Sequence, residues 1–306
     1  MTTVPTAGSA WAYACNQWGG PVLPPAPTVV TSFNQRIMRF LVIYVGFFVC
    51  WPLIAIFAAV SGKLSWSSVR DLYHTVNYAD NHPISKHRAY QDIALLGQVY
   101  QLDSSQPYLQ RSALEWQPRE GFCAGTTVRC LIKSFPTIPI QHTPSVTAGS
   151  KTPEDVCKIL DSVGGVHDNN GPKTHLQSRL FRLENVSYEA FLEELQTNLK
   201  DPSTRVAVNF LRPALFGWSL PWFLWPIAPI SFFSGLYGGH FSFILGTIQS
   251  SNGETLVAIF DVNHKYGGTY LVPADRLYHA IKTKDISTNL SRALIFVSAH
   301  QSSESE

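Results

Sequence analysis

Four residues of this chain have the types and the spacing to do chemistry together. Cys123 stands in Glu120-Gly121-Phe122-Cys123-Ala124-Gly125-Thr126-Thr127, ahead of Val128, Leu131, Ile132 and Phe135. Those apolar residues fall at i, i+3, i+4 and i+7, which predicts a helix starting at the cysteine. A thiol there meets the positive end of the helix dipole and unpaired N–H groups, both of which favour thiolate. Glycines on either side would let a substrate backbone come close. Gln117, six residues upstream, is placed to donate its amide N–H to an oxyanion forming beside the sulfur. His240, in Gly238-Gly239-His240-Phe241-Ser242-Phe243, is the best placed of the ten histidines to act as base. Asp261 ends the strand that follows. A hairpin of 240–248 with 255–262 would set its carboxylate beside the imidazole, holding the tautomer and stabilising the imidazolium. Taken singly, a cysteine at a helix start and a histidine in an apolar run are more often core residues, and it is the set that points to nucleophilic catalysis. Cys130, one to two turns inside the helix, is a weaker nucleophile.

The elements that must hold these residues are legible around them. Thr152-Pro153-Glu154-Asp155 supplies an N-cap, a proline at N1 and an acid at N3, with Val156, Ile159, Leu160 and Val163 on one apolar face. A second helix is expected from Ser187 to about Leu199, with Tyr188, Phe191, Leu195 and Leu199 inward. Strands are expected at 205–211, 240–248, 255–262 and 292–298, and a short helix at 274–283. Helices mostly first and antiparallel strands mostly last make this an α+β chain.

Composition divides the chain further. Of 306 residues only 14% are Asp, Glu, Lys or Arg, against about a quarter in ordinary soluble domains. Residues 1–35 carry no charge, nor do Phe40–Val60 and Ala214–Gly239. A net charge of +2 leaves no basic stripe, which argues against nucleic-acid binding. Residues 1–36 read as a flexible uncharged tail. Phe40–Val60 spans roughly 31 Å as a helix, about one hydrocarbon core, so 37–63 reads as a transmembrane helix, with a buried core helix as the alternative. Residues 64–94 form a linker or helical lead-in, 95–299 a catalytic domain with an apolar insertion at 214–239, and 300–306 a polar tail. Within the insertion, Pro221, Pro226 and Pro229 would break an ordinary helix, and Trp218, Trp222 and Trp225 are residues of membrane interfaces. We read it as a loop dipping into one leaflet, with a core-packing insertion as the alternative. Localisation is then a membrane, through a single-pass anchor. The five cysteines at 15, 50, 123, 130 and 157 form neither a disulfide framework nor a zinc pattern.

Gln117 to Cys123, then Gly239-His240-Phe241-Ser242, then Asp261-Val262, Lys265-Tyr266 and Leu271-Val272-Pro273, together resemble phytochelatin synthase. Tyr188–Phe191 and Arg205–Arg212 resemble the helix and strand that precede that family's histidine. The resemblance covers roughly residues 95–285. It implies a papain-like cysteine protease fold, with Cys123 as nucleophile, His240 as general base and acid, Asp261 as orienting carboxylate and Gln117 as oxyanion donor. It also implies glutathione as substrate, a γ-glutamylcysteinyl thioester, and transfer of that acyl group to a second glutathione or to water. Ala124 and Phe243 stand where the family has glycine and proline, and the family's arginine between Asp-Val and Lys-Tyr is missing.

The expected function is therefore a membrane-anchored thiol-dependent acyl hydrolase or transferase acting on a small thiol peptide. A cysteine amidase or deacylase on a lipid-linked substrate is the first alternative, and a non-catalytic membrane adaptor the second. No metal-ligand cluster is visible, and neither a metal nor an organic cofactor is expected.

Overall fold

The computed structural model describes residues 66–119, 121–139, 143–147, 151–163, 174–217, 239–264, 268–285 and 288–301, with Val60 and Gly149. In chain order the helices are α1 (Trp66–Asn81), α2 (Ile93–Val99), α3 (Gln106–Gln110), α4 (Cys123–Ser134) and α5 (Pro153–Asp161). There follow β1 (Thr174–Arg182), α6 (Tyr188–Lys200), β2 (Thr204–Leu211), α7 (Arg212–Phe216), β3 (Gly239–Gln249) and β4 (Thr255–Phe260). The chain then passes through β5 (Thr269–Pro273), α8 (Ala274–Lys282) and β6 (Ala293–Gln301).

The strands form one sheet in the order β1-β6-β2-β3-β4-β5, and every neighbouring pair is antiparallel. Alternation along the strands divides the core into two layers. Ala207, Phe243, Leu245, Ala258, Phe260, Ile295 and Val297 face α2, α3, α4 and α5. Val206, Val208, Ile244, Val257, Ile259, Leu294 and Phe296 face α1, α6, α7 and α8. Both faces of the sheet are covered, so β2 is buried along its whole length. This is a helix–sheet–helix arrangement around an antiparallel sheet.

Local sequence explains the ends of several elements. The Thr152 hydroxyl accepts from the Asp155 N–H while the Asp155 carboxylate accepts from the Thr152 N–H, closing a capping box with Pro153 at the first turn. Ser187 caps α6 through the Ala190 N–H at 3.2 Å. Gly217 ends α7 at φ 77°, a left-handed conformation that disfavours any side chain, and an added Cβ there would also meet the backbone of Asp80. In β3 the register slips by one residue between Ile244 and Gly246, and the Leu245 carbonyl turns to accept the Ser104 hydroxyl at 2.6 Å.

Helix and strand positions expected from the sequence recur with small shifts, and β1, β5, α2, α3 and α7 are additional. The 64–94 lead-in contains α1, which packs its buried Leu72 and Val76 on the second core layer. No helix of the described residues is long and apolar enough to cross a membrane. The transmembrane reading of 37–63 falls, apart from Val60, outside those residues, as does the insertion from 218 to 238 with Trp218, Trp222 and Trp225.

Candidate active site

Three of the sheet's features bring the chemistry together. β2 and β3 pair with Phe210 opposite His240, so the histidine enters the sheet at its first strand residues. β3 and β4 form the expected hairpin with Phe243 opposite Phe260, which sets Asp261, one residue past the end of β4, beside the start of β3. α4 packs on the same sheet face as Phe241 and Phe243, bringing its first residue, Cys123, against that corner.

His240 Nε2 lies 2.7 Å from Asp261 Oδ1, with both side chains buried. Because the carboxylate can only accept, Nε2 carries the proton, and Nδ1 is the nitrogen left for the thiol. After burial, His240 is the group that acts most strongly on the Cys123 thiol. The carboxylate is itself held in place: Oδ1 accepts the Asn263 N–H at 2.8 Å, and Oδ2 accepts the Tyr270 hydroxyl at 3.2 Å. Phe210 meets the imidazole edge-on at 5.5 Å between centroids, fixing the ring plane from the side.

The charges of these groups are coupled. Burial opposes ionisation of the Cys123 thiol. The His240 hydrogen bond and charge, the Phe241 backbone and the Arg212 cation together outweigh it, so the thiol is held below its ordinary value. Burial likewise opposes the imidazolium, and Asp261 overcomes it, leaving His240 raised. Asp261 is lowered in turn: burial works against the carboxylate, and the His240 charge and hydrogen bond prevail. Burial and the neighbouring Asp261 charge push the Tyr270 phenol well up, so it remains a hydrogen-bond donor. Cys130 behaves in the opposite way. It is fully buried, with its thiol pushed up to about 12 by burial and by Glu115. Cys157, half-buried, is raised as well, mainly by burial.

Gln117 sits next to this corner through its backbone, its N–H donating to the Val262 carbonyl at 2.7 Å. Its side chain is buried and its Oε1 has no hydrogen-bond partner. The glycines beside Cys123 divide in role. Gly121 adopts φ 87°, and a Cβ added there would have open space around it. Gly125 is different, since a Cβ would meet the Thr147 carbonyl at 3.0 Å. Its lack of a side chain serves close packing of residues 146–147 on the helix and leaves no room for a substrate backbone.

Sequence reading missed three residues of the site. Arg212 opens α7 directly after β2, and its Nη2 donates to His240 Nδ1 at 2.8 Å. This cation thus occupies the one ring nitrogen able to accept a proton. Tyr270 lies on β5, a strand of five residues, and Asn263 acts through its backbone N–H. A cation at the end of 205–212 was visible in the sequence, but the pairing of Phe210 with His240 was needed to place it. Among the described residues, no group of three His, Cys, Asp or Glu side chains is arranged to hold a metal ion. Compared with known proteins, the chain matches no family model and no curated protein.

Proposed function

We propose that this chain is a thiol-dependent acyl hydrolase or transferase of the papain-like, phytochelatin synthase type, acting on glutathione or γ-glutamyl peptides. The observation that carries the reading is the buried His240–Asp261 pair with the lowered Cys123 thiol on its other side, at the start of a helix. Its first step is transfer of the Cys123 proton to His240 Nδ1, for which Arg212 has to release that nitrogen. The thiolate then attacks the carbonyl carbon of a substrate amide. Negative charge moves to the carbonyl oxygen, toward the N–H groups at the first turn of α4 and the Gln117 amide. Collapse breaks the C–N bond. His240 returns its proton to the departing amine, and the acyl group remains on sulfur as a thioester. Water or a second thiol peptide, deprotonated by His240, releases it. The Arg212 charge has the sign that a substrate with carboxylates requires.

A lipid-linked substrate is the second reading, and one observation favours it. Leu211 pairs with Gly239, so both ends of the apolar stretch that follows β2 border the site, Arg212 at one and His240 at the other. The membrane anchor at 37–63 belongs to either reading and is supported by its composition alone. Intact-mass spectrometry tests both, after brief incubation with glutathione or with a membrane lipid extract. A γ-glutamylcysteinyl adduct that Cys123→Ala abolishes supports the first, and a fatty-acyl adduct on Cys123 supports the second. Absence of any adduct on a folded protein whose Cys123 alkylates no faster than an ordinary thiol would refute both.

A further inference from the structure

A pocket lies at the opposite end of α4 from Cys123, roughly 17 Å along the helix. It encloses about 560 Å³ between the end of α4, the turn before β2 and the end of β6, a size suited to a small organic ligand. Pro107, Phe135, Pro136, Pro202 and Ala299 give it apolar walls. Its titratable members, Arg111, Arg205 and His300, are all basic types, and no carboxylate is among the lining residues.

The two arginines are held in place by neutral groups. Arg205, only 4% exposed, donates from Nε to the Ser134 hydroxyl at 3.1 Å and from Nη1 to the Pro202 and Thr204 carbonyls at 2.7 and 2.9 Å. Its guanidinium lies over the Phe135 ring at 4.8 Å. Arg111 donates to the Lys133 and Ile138 carbonyls at 2.7 and 2.9 Å and more weakly to Pro136. Neither forms an ion pair with a described carboxylate. Asp201 acts on Arg205 only at longer range, because its two oxygens are engaged by Ser203 and Thr204. Burying a guanidinium without a bonded counter-charge is unfavourable, and an anion in the pocket would offset that cost. The flat, fixed edge of a preorganised guanidinium suits a carboxylate or a phosphate.

We propose that this pocket is a binding site for a small organic anion, a carboxylate or phosphate carrying an apolar group, separate from the Cys123 site. The anionic group bonds to Arg205 and Arg111, and the apolar part rests on Phe135 and the surrounding prolines. Nothing in this assignment depends on the chemistry proposed at Cys123.

The test is isothermal titration of the full chain with phenyl phosphate, with benzoate, and with neutral benzyl alcohol as control. One saturable site is expected for at least one of the anions and none for the alcohol, and the tighter anion identifies the headgroup. Arg205→Gln is expected to weaken binding at least tenfold. Because that variant also loses bonds to Ser134 and two carbonyls, Ala299→Trp provides a second route, filling the pocket while both arginines remain in the sequence. Cys123→Ala is expected to bind as the wild type does. No saturable binding of either anion, equal binding of the alcohol, or full binding in a folded Ala299→Trp protein would each overturn the proposal.

Discussion

Asp261→Asn isolates the charge of the candidate triad while keeping its shape. In the wild type the carboxylate is completely buried and accepts from His240, Asn263 and Tyr270. A hydrogen bond to a charged group contributes about 1.5–3 kcal/mol, and one pKa unit corresponds to about 1.4 kcal/mol. Replacing the anion by a neutral amide should therefore weaken the affinity of His240 for its second proton about ten- to a hundredfold. The amide has one further choice. If its NH2 turned toward His240, the ring proton would move to Nδ1, and that nitrogen could no longer take the thiol proton. Either way the thiolate–imidazolium pair becomes about ten- to a hundredfold rarer. Iodoacetamide reads this without any knowledge of the substrate, because only thiolate reacts. The wild-type thiol is lowered, so its reactive form should persist until the pH falls through that lowered value. In Asp261→Asn the loss should set in at higher pH. The Cys123 rate at about pH 6 should drop about ten- to a hundredfold, converging with the wild type once both thiols are ionised. Cys130, fully buried, reports in the same digest whether the chain has unfolded. An unchanged pH profile for a folded Asp261→Asn protein would refute the coupling of Cys123 to Asp261 through His240.

Other outcomes follow from neighbouring geometry. Gly239→Ala would place a Cβ 2.6 Å from Arg292 Nη1 and 3.0 Å from Asn209 Nδ2. It should cost about 1–3 kcal/mol in urea unfolding and slow Cys123 alkylation by displacing the adjacent His240. Thr152→Ala removes a capping box remote from the site, so it should cost about 0.5–2 kcal/mol and leave the alkylation rate unchanged. The folded Asp261 binds its proton less tightly than an unfolded aspartate, whose ordinary value is about 4. Its stabilising contribution is therefore present above about pH 4 and is lost as pH falls through the lower folded value. Thermal melts should fall more steeply with acid in the wild type than in Asp261→Asn, and parallel curves would contradict that linkage.

Much of the scaffold was legible because local signals and tertiary structure agree. Thr152-Pro153-Glu154-Asp155 encodes its cap in adjacent residues, and the 3.6-residue pattern after Cys123 continues through Ile132 because one face of α4 packs on the sheet. The hairpin that brings Asp261 to His240 could be read from two apolar runs joined by Ser250-Ser251-Asn252-Gly253. β1 was not legible, since its sequence Thr-His-Leu-Gln-Ser-Arg-Leu-Phe-Arg lies at the sheet edge and alternates exposed with buried residues only at its start. β5 is too short for periodicity to register. Arg212 escaped for a different reason. Its importance comes from a cross-strand neighbour, and no local pattern encodes which residue of β3 will lie opposite Phe210. Gly125 shows the converse error, because a glycine beside a nucleophile suggested space for substrate and instead accommodates Thr147.

The Leu211–Gly239 pair has a consequence for how this chain could change over evolutionary time. Those two residues form the last rung of the β2–β3 ladder, so the sheet is already closed before the stretch from 212 to 238 begins. Chain entropy penalises a longer loop only logarithmically, by about 0.6 kcal/mol per doubling. A hairpin turn can therefore grow severalfold at this rung for about 1–2 kcal/mol, without altering the register that places His240. The exchangeable part begins after Gly217, because Ala214 and Leu215 of α7 are buried in the second core layer. The sequence between Gly217 and Gly239 can drift toward new surroundings while Arg212 and His240 stay fixed, and a shorter linker grafted there should leave the sheet intact.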